Sequence, residues 1–269
     1  MFDRLLKAGF QVEFESHAKA ILSVDFPETV RELEDALLAA TIPIEEIIAG
    51  GGGEAKGTQR LRRALSGAGW LKTNFVVEKR INGVPRESQS HEVDHVREYA
   101  NGTRVALEIE WNNKDPFFDR DLENFKRLHS DGAISVGIIV TRGSALQAGM
   151  RGLVRRFLDE RQIQDFAALL KWGYEPTTKQ RDAVKRRMTR RREPQTFREA
   201  MTDKFVSDKF GTATTHWSKL EDRLHRGVGN PCPLVLIGLP ETIVTFHEGV
   251  AALREVQAAE DAVDAAADQ

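Results

Sequence analysis

The run Ala133–Val140 is the feature that most restricts the fold of this chain. It reads AISVGIIV, which has the length of a strand and is almost entirely apolar. A strand of that composition is buried on both faces, so helices must cover the sheet that contains it on each side. Leu234–Gly238 has the same character and predicts a second buried strand. The two runs indicate a mixed α/β core.

Composition excludes several classes of protein. The 269 residues are 41% hydrophobic and 30% charged, a balance typical of globular proteins. No apolar run approaches the roughly 18 residues of a membrane-spanning helix, and a secretory signal pattern is not evident. The single cysteine, Cys232, argues against a disulfide framework and against a thiolate zinc site. We therefore expect a cytoplasmic protein without membrane contact.

The remaining elements follow from periodicity and turn residues. Asn-Gly pairs separate three strands of a predicted meander, at Phe75–Val77, Val93–Val96 and Arg104–Trp111. Apolar spacing predicts helices from Pro27 to just before Gly50, over Thr58–Leu65, from Asp115 to Ser130, over Leu146–Leu170 and around His216–Arg226. We predict a single domain over 1–255, with a core at about 55–145, helical and basic additions at 146–230, a last core strand at about 233–239, and an acidic, disordered tail at 256–269.

The densest group of acids lies on the second and third predicted strands. Glu108 and Glu110 are two residues apart, so both point to one face of the sheet. A three-residue loop with Gly102 in the left-handed conformation places Asp94 opposite Glu108, whereas a two-residue turn places it opposite Ile109. The apolar pattern favours the first register, because residue 93 then opposes Ile109.

Three carboxylates on one face repel one another unless a cation neutralises them. A hard divalent ion such as Mg²⁺ binds well to oxygen ligands of this kind. The alternative interpretation is a hairpin whose acids simply line an exposed face. Glu78, on the first strand of the meander, is a fourth candidate acid.

A basic segment lies in the second half of the chain. Lys179–Arg192 holds eight basic residues and one acid, which is typical of a surface that contacts phosphates. An exposed helix face or a loop is the alternative. Its candidate contacts to DNA are Lys185, Arg186, Arg187, Arg190 and Arg191.

The stretch HEVDHVREYANGTRVALEIEWNNKDPFFDRDLENF resembles the central block of type II restriction endonucleases of the BglII and BamHI kind. THWSKLEDRLHRGVGNPCPLVLIG resembles their C-terminal block. The resemblance implies a PD-(D/E)XK restriction-endonuclease-like fold, in which a central mixed β-sheet is flanked by helices. It covers roughly residues 15 to 240.

The resemblance also implies site residues. Asp94 and Glu108 would bind the metal together with the Ile109 carbonyl, and Glu110 stands where most of the superfamily has lysine. Glu110 would orient or deprotonate the attacking water, or help to hold the metal. Accessory candidates are Glu78 and Lys114. Asn112 and Asn113 are placed to contact DNA near the scissile phosphate, or to cap the following helix.

The expected activity is Mg²⁺-dependent hydrolysis of phosphodiester bonds at a short palindromic site in double-stranded DNA, with Mn²⁺ as a substitute ion. A homodimer is expected because a two-fold axis matches a palindrome, and a cognate DNA methyltransferase would belong to the same system. Two alternatives stay open at this point. One is a nuclease of low sequence specificity in repair or defence, and the other is a catalytically idle DNA-binding protein.

Overall fold

The computed structural model describes residues 1–49 and 55–247. The described residues form two sheets. One has six strands in the order β1-β7-β6-β5-β4-β3, and the other is a short parallel pair of β2 with β8. The strands are β1 (Gln11–Glu15), β2 (Ile42–Pro43), β3 (Trp70–Ile81), β4 (Val84–Glu98), β5 (Arg104–Glu110), β6 (Val136–Arg142), β7 (Leu234–Leu239) and β8 (Val244–Thr245).

The helices precede, connect and follow these strands. They are α1 (Asp3–Lys7), α2 (Ala18–Asp25), α3 (Pro27–Ala39), α4 (Ile44–Ala49), α5 (Lys56–Gly67), α6 (Phe117–Ser130), α7 (Ser144–Glu160), α8 (Phe166–Leu170), α9 (Thr178–Met188), α10 (Phe197–Lys209) and α11 (Trp217–His225). None of these helices is long and apolar enough to cross a membrane.

The central strands are parallel and the outer ones antiparallel. β6 lies between β5 and β7 and runs parallel to both, while β4 pairs antiparallel with β5 and with β3. All residues of β6 and β7 are buried, as the two apolar runs predict. The predicted mixed α/β fold with a central sheet and flanking helices is therefore confirmed, and it is consistent with a restriction-endonuclease-like fold.

The main apolar core lies between this sheet and two helices. α6 contributes Phe118, Leu122 and Phe125, and α11 contributes Trp217 and Leu220. Strand residues complete the same cluster, among them Val93, Val96, Ala106, Ile139, Leu234 and Leu236. The core therefore fixes α6 against β5 and β6, next to the acidic strand.

The chain divides into two compact units. The first comprises Met1–Ala40, Thr58–Ala148 and Thr212–Thr242, and it contains the six-stranded sheet. The second contains Gly149–Gly211 together with the described residues of 41–57 and 243–247. The single domain over 1–255 stays a prediction. The predicted disordered tail at 256–269 lies outside the described residues.

Two helix predictions were wrong in extent. The helix from Pro27 ends at Ala39 instead of continuing to Gly50, and β2 follows it. Pro43 explains the break, since proline disfavours helical geometry in the residue before it. The helix predicted over Leu146–Leu170 is divided into α7 and α8, and Asp165 caps the start of α8 by accepting a hydrogen bond from the backbone N–H of Ala168.

Candidate active site

The hairpin between β4 and β5 has the predicted three-residue loop. The backbone N–H of Tyr99 donates to the carbonyl of Thr103 over 3.0 Å, and Gly102 has a φ of 78°. The ladder continues in the same register along both strands, which brings Asp94 beside Glu108. The backbone N–H of Asp94 donates to Glu108 Oε1 over 3.3 Å. The first of the two registers considered is therefore confirmed.

The prediction that Val93 opposes Ile109 stays a prediction, because the pairing of β4 with β5 ends at His95 and Leu107. Val93 is buried, and it packs in the cluster that contains Val96 and Ala106. Val93 and Val96 pair with Thr73 and Leu71, so β4 has two residues between its two paired positions where β3 has one. This β-bulge breaks the strict alternation of the side chains of β4. The bulge lies next to Asp94, at the point where the acidic site is built.

Burial dominates the electrostatics of the two strand glutamates. Glu108 is 7% exposed and Glu110 is 2% exposed, although both are carboxylates. Burial raises the pKa of Glu108 well above its usual range, and the charges of Asp121 and Asp94 raise it further. Burial and Asp121 raise the pKa of Glu110 to about 8. Three buried acids, Glu108, Glu110 and Asp121, therefore share one low-dielectric region, and the exposed Asp94 lies within electrostatic range of Glu108 and Asp121.

Asp121, on α6, is the site residue that the sequence analysis missed. Its side chain is 1% exposed, and burial raises its pKa. Oδ2 has no N–H or hydroxyl donor among the described residues, and Asp121 shares a hydrogen bond with the Glu110 carboxyl, for which a proton held between the two acids accounts. The signal was available, because Asp121 lies three residues after Phe118 and four before Phe125, on the apolar face of the helix. A carboxylate at a core position of a helix is costly unless it has a functional partner.

Arg120 is the cation that contacts the buried acids. Its Nη2 lies 2.7 Å from Asp121 Oδ1 and 3.7 Å from Glu110 Oε1. Its charge lowers the pKa of Glu108, Glu110 and Asp121, while its guanidinium packs 4.5 Å above the ring of Phe117. One arginine therefore offsets part of the repulsion among the buried acids.

One of the two asparagines that follow β5 contacts the acids. Asn113 Nδ2 donates to Glu110 Oε2 over 2.8 Å, and Asn112 is half-buried. No side chain caps α6, so the capping alternative for these asparagines does not hold. Lys114 forms an isolated β-bridge with Thr214 and is not among the groups that shift the pKa of Glu110.

Glu78 is not brought into the group. It lies in the distal part of β3, opposite Ser88, and its Oε2 accepts hydrogen bonds from Arg80. Lys72 is the β3 residue beside the site, with its Nζ 3.9 Å from Asp94 Oδ1 and 2.7 Å from Glu92 Oε1. The structure thus assembles Asp94, Glu108 and Glu110 and leaves Glu78 apart.

The donor set fits a hard divalent cation. The charges of Asp94 and Asp121 act on Glu108, Asp121 acts on Glu110, and Arg120 acts on all three buried acids. Oxygen ligands of this kind suit Mg²⁺ and Mn²⁺. Within residues 1–49 and 55–247, however, no three His, Cys, Asp or Glu side chains are already gathered as a metal-binding group. Ile109, whose carbonyl was the further predicted ligand, lies between the two glutamates and pairs with Val140.

The basic segment forms α9 and the loop that follows. A capping box formed by Thr177 and Gln180 starts the helix, and Val184 is its buried residue. Lys185, Arg186, Arg190 and Arg191 are exposed. Arg187 differs, because its Nη1 lies 3.1 Å from Asp203 Oδ2 in an ion pair within the second unit.

A mixed sheet flanked by helices, with acids grouped on one hairpin and the adjoining helix, is consistent with a restriction-endonuclease-like fold. The family model for restriction endonuclease BglII/BglIII matches residues 10–239. The chain belongs to this family of restriction endonucleases. A search of curated proteins finds no match.

Proposed function

We propose that this restriction endonuclease is a Mg²⁺-dependent type II enzyme of the PD-(D/E)XK superfamily that cuts double-stranded DNA at a short palindromic site. The observation that carries the proposal is the burial of Glu108 and Glu110 beside Asp94 and Asp121. Buried acids that raise one another's pKa are destabilising, and their grouping in a nuclease family is best explained by the cation that they would bind.

Asp94 and Glu108 would hold the metal, with the Ile109 carbonyl as a further ligand, and Mn²⁺ would substitute for Mg²⁺. When bound, the ion supplies electrostatic stabilisation of the charge that develops on the phosphoryl oxygens. Asp94 is suited to the role because its side chain is 56% exposed, so it is accessible to solvent and to a phosphate group. Glu108 is fixed by the hydrogen bond from the Asp94 backbone.

Glu110 is the group best placed to move a proton. Its Oε2 accepts a hydrogen bond from Asn113, and its Oε1 lies 3.7 Å from Arg120. The carboxyl also shares a hydrogen bond with Asp121, so it would take a proton from the attacking water once that shared proton has left. A bound cation would lower the pKa of Glu110 from its value of about 8 in the metal-free protein, so that the carboxylate is ionised and able to accept a proton. Proton transfer to Glu110 would then accompany attack on the phosphorus and departure of the 3′ oxygen.

Contacts to DNA would come from two regions. Exposed side chains of the basic segment would bind phosphates, which makes affinity dependent on salt. Asn112 and Asn113 would approach the duplex near the site of cleavage. Arg187 would act mainly through its ion pair with Asp203.

The biological context follows from the same proposal. Two chains related by a two-fold axis would each read one half of a palindrome and each cut one strand. Such an enzyme would act in the cytoplasm beside a DNA methyltransferase that protects the host site. The lower-specificity nuclease and the idle DNA-binding protein are the outcomes that an experiment must separate from it.

Plasmid digestion tests the proposal. Purified protein is incubated with supercoiled plasmid and Mg²⁺, and a parallel sample contains EDTA. Discrete fragments that require Mg²⁺ support a site-specific enzyme, and sequencing of their ends gives the site. A smear supports the low-specificity alternative, while intact plasmid in both samples contradicts nuclease activity.

A further inference from the structure

The hairpin of β3 and β4 extends beyond the rest of the sheet. β5 pairs with β4 only over His95–Glu98, whereas β3 and β4 continue pairing with each other from Asn74–Glu92 to Ile81–Val84. These eight pairs span roughly 25 Å at about 3.3 Å per residue. We call residues 74–92 the ribbon. It is exposed along most of its length and belongs to the first unit.

The tip of the ribbon is basic. Residues 79–86, KRINGVPR, carry three cations and no acid. Arg80 is held by Glu78 over 2.9 Å, but Lys79 and Arg86 have no ion pair within the described part of the chain. Arg86 is the extra residue of a β-bulge, and its side chain is exposed.

Apolar side chains accompany these cations. Ile81 and Val84 pair across the turn at Asn82-Gly83 and are 49% and 51% exposed. A two-stranded ribbon is only marginally stable by itself in water, and exposed β-branched side chains at its tip gain from a partner. The combination of cations, an amide and small apolar groups is suited to the edges of base pairs.

The base of the ribbon lies at the candidate active site. β4 enters the sheet at Asp94, so the arm starts beside the carboxylates and places its tip about 30 Å away along the strand. One helical turn of duplex DNA measures about 34–36 Å. A duplex held at Asp94 could therefore be contacted by the tip within about one helical turn.

We propose that the ribbon is a DNA-contacting arm whose tip, with Lys79 and Arg86, enters a groove of the bound duplex. The major groove admits a two-stranded ribbon. The inference rests on the proposed function, because it assumes duplex DNA as the substrate. It adds a second contact region on the same unit as the acids, separate from the basic segment.

The test compares two double variants with the wild-type chain on a labelled duplex in EDTA, across a salt series. In Lys79→Ala/Arg86→Ala, two exposed cations of the tip are removed. The control, Lys7→Ala/Arg127→Ala, removes the same charge from exposed helix positions of the first unit. The slope of log affinity against log salt should fall by about 1.8 in the ribbon variant, which is about 0.9 for each of the two phosphates that Lys79 and Arg86 would contact at the rim of the groove. The control should keep the wild-type slope.

A crosslink identifies what the ribbon touches. Ser88→Cys places a photoreactive label on the exposed ribbon, and the native Cys232 is fully buried, so labelling is specific. Transfer of the label to the duplex supports the arm. Transfer only to a second copy of the chain, or to neither, overturns it.

The two proposals fail in different ways. Wild-type protein that neither binds nor cuts any duplex overturns the proposed function and the arm together. Wild-type binding and cleavage with an unchanged salt slope in Lys79→Ala/Arg86→Ala overturns the arm alone. A ribbon variant that loses affinity while the control does not supports the arm.

Discussion

The backbone N–H of Asp94 donates to the side-chain oxygen of Glu108 across neighbouring strands, over 3.3 Å. This bond ties the buried carboxylate of Glu108 to the backbone of Asp94, whose own carboxylate is exposed. It exists because the three-residue loop sets the register, and a shift by one residue would point the side chains of β5 to the other face. The geometry of the candidate site therefore depends on the turn at Gly102 as much as on the acids themselves.

The stability of the metal-free protein should fall as pH rises from about 4.5 to 8. Glu110 has its pKa raised to about 8, so the folded protein holds a proton over this range that the unfolded chain has released. The free energy of unfolding should drop by up to about 1.4 kcal/mol per pH unit from this group, and the raised pKa of Glu108 acts in the same direction. Urea unfolding in EDTA measures the slope. Glu110→Gln should flatten it, and an unfolding free energy that rises through this window would contradict the burial of these acids.

Asp121→Asn should change both the pKa values of the neighbouring acids and the affinity for the metal ion. Loss of its charge should lower the pKa of Glu108 and Glu110 and reduce the slope of stability with pH. Affinity for Mn²⁺, measured by calorimetry, should weaken about 10–100-fold, as for a group that supports metal ligands. Glu123→Gln is the matched control, because Glu123 lies on the same helix and pairs with Lys126 at the surface. Equal Mn²⁺ affinities in both variants would contradict a role of Asp121 in metal binding.

Replacing Arg186, Arg190 and Arg191 by Ala should weaken binding to all duplexes alike. These side chains are exposed, so their loss should leave folding intact and lower the salt slope by about 0.9 for each phosphate contact. Arg187→Ala should instead cost about 0.2–1 kcal/mol of stability, because it breaks the ion pair with Asp203. Anisotropy on site-containing and scrambled duplexes separates the two effects. If the triple variant keeps the wild-type affinity and salt slope, the basic segment is a solvated surface that does not contact DNA.

The complex with a site-containing duplex should hold two chains. One chain with one acidic site cuts one strand, so a concerted double-strand break requires two copies related by a two-fold axis. Sedimentation of the complex in EDTA measures its mass. A complex of one chain per duplex that makes concerted double-strand breaks would contradict the homodimer.

Much of the core could be predicted from the sequence because its signals are local. The buried strands are continuous apolar runs, and the acids of β5 share a face through the two-residue period of a strand. The edge strand β1 was not predicted, because its five residues of mixed polarity have no strand pattern of their own and form a strand by pairing with β7. Helix α10 was not predicted either, although Thr196 and Glu199 form a capping box at its start.

Features that depend on tertiary contacts were the hardest to predict. Asp121 joins the site only because α6 packs on β5, and Glu78 is separated from it only because β3 and β4 extend so far. The bulge that brings Val93 into the core depends on the pairing of β4 with β3. Sequence spacing could align the strands, but it could not place a helix over them.

Cleavage by single-site variants tests the central claim most directly. Wild type, Asp94→Asn, Glu108→Gln and Glu110→Gln are compared on one site-containing duplex with Mg²⁺, and binding of each is measured in EDTA. The account predicts that Asp94→Asn and Glu108→Gln bind the duplex like the wild type but lose cleavage, by about a thousandfold or more if electrostatic stabilisation is the main catalytic effect. Glu110→Gln should lose less, because Asp94 and Glu108 would still hold the metal. Full Mg²⁺-dependent cleavage by either Asp94→Asn or Glu108→Gln would contradict the account.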